Sequence, residues 1–253
     1  MGCLIRKIFY SPVKSISFDS VSSIRIKKSI GLENDRIFSF SRNVNASESK
    51  FIEQNPTKRS LHKFLTLRNS PYLNKYNFSL VNNELILKII DKEIIRISIL
   101  NRKGFKNLVE TLTKLETKIK PPIFLLKNIK NPFFDTMPKN SISLINLKTV
   151  KDFSNKIATE IEFERFRGNI YVDNMFAWDE MKLVGKKIKI NNCSFKVTDF
   201  IHRCSATNLK PNTNDNTINL PQTLKKIYGH INLGIYLEPL NNGIININDA
   251  IEI

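Results

Sequence analysis

The segment Ile201-His202-Arg203-Cys204-Ser205-Ala206-Thr207 is the part of this sequence best equipped for chemistry. A thiol at the end of a β-rich run, beside an imidazole and a guanidinium, can ionise more readily than a free cysteine. The resulting thiolate suits a soft metal or nucleophilic attack. On an extended chain alternate residues share a face, so His202, not Arg203, is the expected electrostatic neighbour of Cys204. The same pattern also fits a structural cysteine buried at a strand end. A second cluster, Arg165-Phe166-Arg167-Gly168-Asn169-Ile170, offers two planar guanidinium forks that match phosphate oxygens, with Asn169 as an amide donor. By itself it also reads as an exposed basic turn. A third grouping, Tyr10-Ser11-Pro12-Val13-Lys14-Ser15 with Gly31-Leu32-Glu33-Asn34-Asp35-Arg36, could bring Lys14, Ser15 and Arg36 to one oxyanion, or could be solvated hairpin ends.

Several common catalytic patterns are absent. There is no G-x-G-x-x-G, no G-x-x-x-x-G-K-[ST] and no G-x-S-x-G, which removes the usual dinucleotide, P-loop and α/β-hydrolase readings. The three histidines, His62, His202 and His230, lack H-E-x-x-H spacing and a companion cysteine pair, against a zinc site.

The elements that would position these clusters are mostly short strands. Leu4 to Tyr10, Val21 to Lys27, Ile37 to Phe40, Tyr76 to Val81, Glu84 to Ile90 and Glu93 to Ile99 are rich in Ile, Val, Phe and Tyr. Asn82-Asn83 and Asn191-Asn192 suit tight hairpins, because Asn tolerates positive φ. Asn241-Asn242-Gly243 suggests a further hairpin between Leu233–Leu237 and Ile244–Ile247. Residues 41 to 75, dominated by Ser, Asn and Lys, read as loop. Apolar residues at helical spacing predict helices from about Lys103 to Thr117 and after a capping Asn146; Leu220 to Tyr228 reads as a third, with Pro221 in its first turn and Gly229 beyond its end. Many strands with few helices predict an α+β fold, rich in β-barrel, with residues 1–100 forming an N-terminal barrel region and 101–253 a second domain.

Bulk properties constrain the rest. The 253 residues carry a formal charge of +17, which would suit nucleic acid, an anionic surface, an acidic protein or an anionic cofactor. The lysines are scattered along the chain, so charge by itself is a weak argument for nucleic acid. No apolar run is long enough to cross a bilayer, the first residues lack an apolar signal segment, and Arg6 breaks the myristoylation pattern. An odd set of cysteines, Cys3, Cys193 and Cys204, argues against a disulfide framework and for a reducing cytoplasm.

Taken in order, the clusters resemble the MOSC family, named for the C-terminal domain of molybdenum cofactor sulfurase. The residues that carry the likeness are Ser11-Pro12-Val13-Lys14-Ser15, Gly31-Leu32 with Asp35-Arg36, Arg165 to Ile170, and Arg203-Cys204 with Thr207. Trp178-Asp179-Glu180, Leu183-Val184-Gly185, Gly234-Ile235-Tyr236 and Gly243-Ile244 are also similar. The resemblance implies a pterin-bound molybdenum cofactor with Cys204 as metal ligand, and Lys14, Ser15, Arg36, Arg167 and Asn169 on its phosphate and pterin. Arg68 is similar to a further family arginine, and Asp135 to a loop acid that approaches the metal. The family's enzymes include the mitochondrial amidoxime-reducing component and bacterial relatives. Two-electron reduction of N-hydroxylated or related N-oxygenated small molecules is therefore the implied activity; a non-catalytic cofactor or sulfur carrier using Cys204 is the alternative. No cysteine-rich ferredoxin-like segment is present, so electrons are expected from a separate ferredoxin-like protein, flavoprotein or cytochrome, with no role for a membrane. Gly168 departs from a proline often found there in the family, which should loosen the turn.

Overall fold

The computed structural model describes residues 2–16, 18–134 and 141–253. In chain order the first strands are β1 (Leu4–Tyr10), β2 (Asp19–Val21), β3 (Ser23–Lys27), β4 (Gly31–Leu32) and β5 (Phe38–Arg42). Helix α1 (Ala46–Gln54) follows, then β6 (Tyr76–Val81), β7 (Glu84–Ile89), β8 (Lys92–Ser98), α2 (Lys103–Leu115) and β9 (Ile123–Lys127). The remainder is β10 (Ile142–Asn146), α3 (Leu147–Lys156), β11 (Ile170–Asp173), β12 (Lys187–Ile190) and β13 (Cys193–His202), then α4 (Leu220–Tyr228), β14 (Asn232–Pro239), β15 (Gly243–Asn246) and β16 (Ile251–Glu252). The expected α+β fold is the one observed.

The chain forms two compact units, one of residues 1–10, 20–33 and 136–253, the other of residues 11–19 and 34–135. Compactness thus divides the chain differently from a cut at residue 100. The first unit is built on an eight-stranded sheet in the order β16-β12-β13-β14-β10-β11-β1-β2, with a smaller sheet β15-β3-β4. No pairing among the described residues closes the large sheet into a ring. Its core is mostly aliphatic, with Ile5, Ile8, Ile170, Val197, Ile235 and Leu237 excluded from solvent around Phe195. The parallel pair β10–β11 needs a crossover, which α3 supplies. Asn146 ends β10 and caps α3 by accepting from Lys148 N, and Val150 and Phe153 then bury one helix face. The chain returns through a 3-10 turn at Phe163–Phe166 and enters β11 at Ile170. Arg167 and Asn169 therefore lie at a strand entry, and Cys204 lies just beyond the end of β13.

The second unit holds β5–β9 and the meander β6-β7-β8. Asn82 and Asn83, at φ 48° and 63°, form the left-handed pair that a two-residue hairpin needs. Helix α2 buries Phe105, Leu108 and Leu112 on one face. Pro12 O accepts from Phe38 N and Phe38 O from Lys14 N, both at 2.9 Å, so the Pro12–Lys14 segment runs alongside β5.

Two expectations are corrected. Residues 41–75 contain α1 and three short 3-10 turns. The side chain of Asn45 caps α1 at Glu48 N, but the helix buries only Ser49, Ile52 and Glu53, so its apolar periodicity is too thin to read. Residues 241–243 do not close a hairpin: β14 pairs with β13 and β10, whereas β15 pairs with β3. Asn241 ties that turn instead to the β12–β13 turn, accepting from Ser194 N at 2.7 Å and donating to Asn192 O at 2.7 Å. No described helix is long and apolar enough to cross a membrane.

Candidate functional site

Beyond β13 the backbone stays extended through Cys204 (φ −121°, ψ 175°) and then tightens into the 3-10 turn Ser205–Asn208. Thr207 closes that turn on Cys204, whose carbonyl accepts from Thr207 N at 3.0 Å and from Thr207 Oγ1 at 2.9 Å. The strand alternation falls as expected, with His202 and Cys204 exposed and Arg203 turned inward. The other two thiols are buried. Burial, assisted by Asp173 and Glu180, pushes Cys3 up to about 11, and burial raises Cys193 as well. Cys204 is thus the one exposed thiol of the chain.

Arg203 is 7% exposed and acts as a clamp. Its Nε donates to Leu233 O at 2.7 Å and its Nη1 to Phe166 O at 2.8 Å, while Nη2 also bonds Leu233 O. Gly234 makes room for it: at φ 85° a Cβ there would lie 2.7 Å from Leu144 O and 3.1 Å from Arg203 Nη2. Burial lowers the guanidinium to about 10, partly offset by Tyr236, Tyr171 and Cys204; it remains charged at neutral pH. A second buried arginine, Arg165, donates from Nη1 to Asn208 O at 2.7 Å and from Nε to Glu162 at 2.7 Å. The two arginines join the Phe163–Phe166 turn to both ends of the Ser205–Asn208 turn. They therefore hold Arg167 and Cys204 on adjoining turns of one unit.

Arg167 follows Phe166 with φ 49°, a left-handed conformation that non-glycine residues seldom adopt. Gly168 N donates to Tyr171 Oη at 2.8 Å, and Tyr171 Oη donates to Phe163 O at 3.1 Å. A proline could not make the first of these bonds. The expectation that Gly168 loosens the turn is therefore corrected, because its N–H fastens it. Asn169 is buried: its Oδ1 accepts from Ser143 N at 3.1 Å and Ser143 Oγ at 2.9 Å, and its Nδ2 donates to Phe9 O at 3.1 Å. Its carboxamide joins β1, β10 and β11, which makes it a positioning group for the strand entry.

The second unit gathers Lys14, Ser15 and Arg36. Asp35 is fully buried, accepts from Ser11 N at 2.7 Å and pairs with the Arg36 guanidinium. Arg36 N donates to Ser11 O at 2.6 Å, and the guanidinium lies over the Phe134 ring, 5.3 Å from its centroid. Lys14 is 2% exposed, and its Nζ donates to Phe133 O at 3.0 Å. Arg68 is exposed in the loop Thr66–Asn69, where Thr66 N donates to Asn69 Oδ1 at 3.0 Å. Asp135 lies outside the described residues.

Ser15 and Arg36 are also left-handed, at φ 65° and 53°. Among the described residues seven that are neither Gly nor Asn have positive φ, and Ser15, Arg36 and Arg167 are three of them. Such strain persists where surrounding bonds enforce it, and it concentrates at ligand sites. The buried supports Asp35, Arg165 and Arg203 were not singled out for this role from sequence; their only signal was position beside exposed polar residues in the same motifs.

A further cluster lies in the first unit. Asp152 Oδ2 accepts from Trp178 Nε1 and Tyr228 Oη, both at 2.8 Å, and the Trp178 and Tyr228 ring centroids are 4.3 Å apart. Glu180, fully buried, accepts from Asn146 Nδ2 at 3.1 Å and Thr149 Oγ1 at 2.9 Å. Burial raises its carboxyl above the ordinary range. Among the described residues no group of three or more His, Cys, Asp or Glu side chains could hold a metal ion.

Residues 134–252 match the family model of the MOSC domain. No curated protein sequence matches the chain. Among solved structures, the YuaD protein of Bacillus subtilis is similar at 10% identity and a TM-score of 0.48, over 99% of this chain and 94% of that one. YiiM of Geobacillus stearothermophilus is similar at 13% identity and a TM-score of 0.37, over 45% of this chain and 53% of that one.

Proposed function

We propose that this chain, which carries a MOSC domain over residues 134–252, binds a molybdenum cofactor through the Cys204 thiolate and reduces N-hydroxylated or related N-oxygenated small molecules. MOSC domains are associated with the molybdenum cofactor in general. The observation that carries the reading is the pairing of one exposed thiol with a strained arginine on an adjoining turn, both fastened by the buried Arg203 and Arg165. The donor set fits the group. A metal that arrives with most of its ligands on an organic cofactor needs one protein thiolate, not a cluster of side chains, and an anionic cofactor tail needs guanidinium forks.

In this reading Arg167, Arg36, Ser15 and Arg68 contact the phosphate and pterin. Lys14 and Asn169, both buried, belong to the same set, and each also donates to a backbone carbonyl, Lys14 to that of Phe133 and Asn169 to that of Phe9. Asp135 is the loop acid that would approach the metal. Thr207 fixes the Cys204 carbonyl, so the thiol is presented from a closed turn. The cofactor, when bound, supplies the two-electron oxygen-abstracting chemistry; the protein supplies orientation and charge. Two electrons come from a separate donor protein.

The exposure of Cys204 also favours a second reading, a carrier that holds sulfur or cofactor on this thiol without turnover. The two separate in one assay. Protein from a cofactor-competent host is supplied with a reduced viologen and an N-hydroxylated amidine. The reductase forms the amidine and water repeatedly. A carrier forms none, and intact mass shows persulfide sulfur on wild type that is missing from Cys204→Ser.

A further inference from the structure

Asp152, Trp178 and Tyr228 take no part in the site described above, and their arrangement has a chemistry of its own. Thr149 and Asp152 lie one turn apart on α3, Tyr228 ends α4, and Trp178 immediately precedes the 3-10 turn Asp179–Leu183. A single oxygen, Asp152 Oδ2, accepts from both the indole Nε1 and the phenol Oη at 2.8 Å. The two rings touch, with centroids 4.3 Å apart. Phe153, excluded from solvent, seals Tyr228 on another side at 6.2 Å, while Trp178 and Tyr228 are each half-buried. Trp178, the only tryptophan of the chain, is held at φ 70°. A bulky residue rarely adopts that conformation, and it persists only where surrounding bonds enforce it. Two bonds do so: Trp178 N donates to Thr149 Oγ1 at 2.8 Å, and the indole donates to Asp152. A strained turn and two helices thus bring the two aromatic side chains that lose an electron most readily against one carboxylate.

That carboxylate is placed to receive a proton. The Trp178 bond, with Tyr228 and Lys156, holds the Asp152 carboxyl below its usual range against the effect of burial, so it is ionised at neutral pH. The other titratable group on the rings is not an acceptor for the phenol. His230 stacks on Tyr228 with centroids 6.1 Å apart, but its Nδ1 already accepts from Asn232 N at 3.2 Å. Asp179, next to Trp178, is paired with Lys182 at 2.6 Å, and Lys225 and Lys226 are exposed in the last turn of α4. Other tyrosines differ. Tyr171 donates to a carbonyl, Phe163 O, which cannot take the proton, and Glu116 beside Tyr76 is held by Lys75 at 3.0 Å.

We propose that Trp178 and Tyr228 form a proton-coupled redox site that takes up one-electron oxidising equivalents, with Asp152 as its internal base. A one-electron oxidant removes an electron from the paired rings and is itself reduced by one electron. The negative charge of Asp152 favours that loss from either ring, because it stabilises the positive charge left behind. Ring contact lets the electron vacancy pass from indole to phenol. The phenol proton then crosses its hydrogen bond to Asp152 Oδ2, which leaves a neutral phenoxyl radical beside a carboxylic acid. A one-electron donor of the ascorbate class returns the electron, Asp152 returns the proton, and the site is reset. The three residues belong to the unit that carries Cys204, so oxidising equivalents entering that unit have a resting place other than its exposed thiol. None of this depends on a bound cofactor, so its failure would leave the reductase reading untouched.

The test oxidises the whole protein with flash-generated ruthenium(III) tris-bipyridine and reads the radical by electron paramagnetic resonance after rapid freezing. Wild type and Tyr76→Phe should give a tyrosyl signal. Tyr228→Phe should replace it with a tryptophanyl signal, which the double variant Trp178→Phe/Tyr228→Phe removes. In wild type the rate of tyrosyl formation should be constant from about pH 6 to 8 and independent of buffer concentration, because the proton moves to a carboxylate already ionised in that range. In Asp152→Asn the rate should fall at least tenfold and rise with added buffer base, which then has to take the proton. Thermal melts verify that the variants fold. A tyrosyl signal that survives Tyr228→Phe, a wild-type rate that tracks buffer concentration, or an Asp152→Asn rate equal to that of wild type overturns the proposal and leaves the cluster a structural staple.

Discussion

Replacing Arg203 by methionine should destabilise the unit that carries Cys204 by about 2–4 kcal/mol. The side chain makes three bonds to two carbonyls, those of Leu233 and Phe166. Hydrogen bonds from a charged donor contribute roughly 1.5–3 kcal/mol each, and a buried acceptor left unpaired costs about 1–3 kcal/mol. Against this, removing a buried cation relieves several kcal/mol of desolvation, which keeps the net effect well below the sum of the bonds. Methionine fills comparable space and retains contact with the Phe166 ring, over which the guanidinium now lies at 5.3 Å. Arg203→Lys, which keeps the charge but loses the fork, should fall between the two. Urea denaturation followed by Trp178 emission reads the transition of the right unit, because Trp178 and Arg203 belong to the same one. The sign with pH also follows. A base held at about 10 in the folded chain, below its unfolded value, is charged in both states at neutral pH. The difference between wild type and Arg203→Met should therefore be flat from about pH 5 to 8 and should shift in favour of wild type only as pH rises past about 10. A variant within about 0.5 kcal/mol of wild type at pH 7 would refute the clamp.

Three further outcomes are expected. In the native protein a thiol-specific reagent should modify one cysteine of three, and Cys204→Ser should abolish that modification; rapid labelling of Cys3 or Cys193 before unfolding would contradict their burial. Gly168→Pro should cost about 1–3 kcal/mol by removing the N–H that Tyr171 Oη accepts, and a Cβ would also meet Ile145 Cδ1 at 2.5 Å; unchanged urea stability would show the bond to be dispensable. Asp152 is held below its usual value first by the Trp178 indole and then by Tyr228. A depressed carboxyl contributes stability above its unfolded value that is lost as pH falls through the folded one, so the advantage of wild type over Asp152→Asn should be present at pH 6.5 and shrink below about pH 4. A gap that does not change with pH would show that the carboxylate charge is irrelevant.

Much of the scaffold was legible because its signals are local. Asn82-Asn83 and Asn191 announced their turns, Asn146 and Pro221 with Gly229 marked helix ends, and alternation placed His202 and Cys204 on the side opposite Arg203. The failures were long-range or faint. Nothing in Asn241-Asn242-Gly243 says that the chain leaves β14 to pair with β3 some 220 residues earlier, and α1 buries too few apolar groups for its period to show. The candidate site's residue types stand in order in the sequence, but the buried groups that fasten their turns do not show there. Asn169 reads as an amide donor on sequence, and the fold shows its carboxamide tying β10 to β1; Arg203 reads as a charge beside a thiol and is a clamp on two carbonyls. Burial decides between such roles, and burial depends on partners far away in the chain.

The most direct test is the molybdenum content of protein made in a cofactor-competent host, wild type beside Cys204→Ser and Arg167→Ala. The account predicts near-stoichiometric metal with pterin in wild type, almost none in Cys204→Ser, and a clear reduction in Arg167→Ala, with all three folded by circular dichroism. Equal metal in wild type and Cys204→Ser, or negligible metal in both, would contradict it.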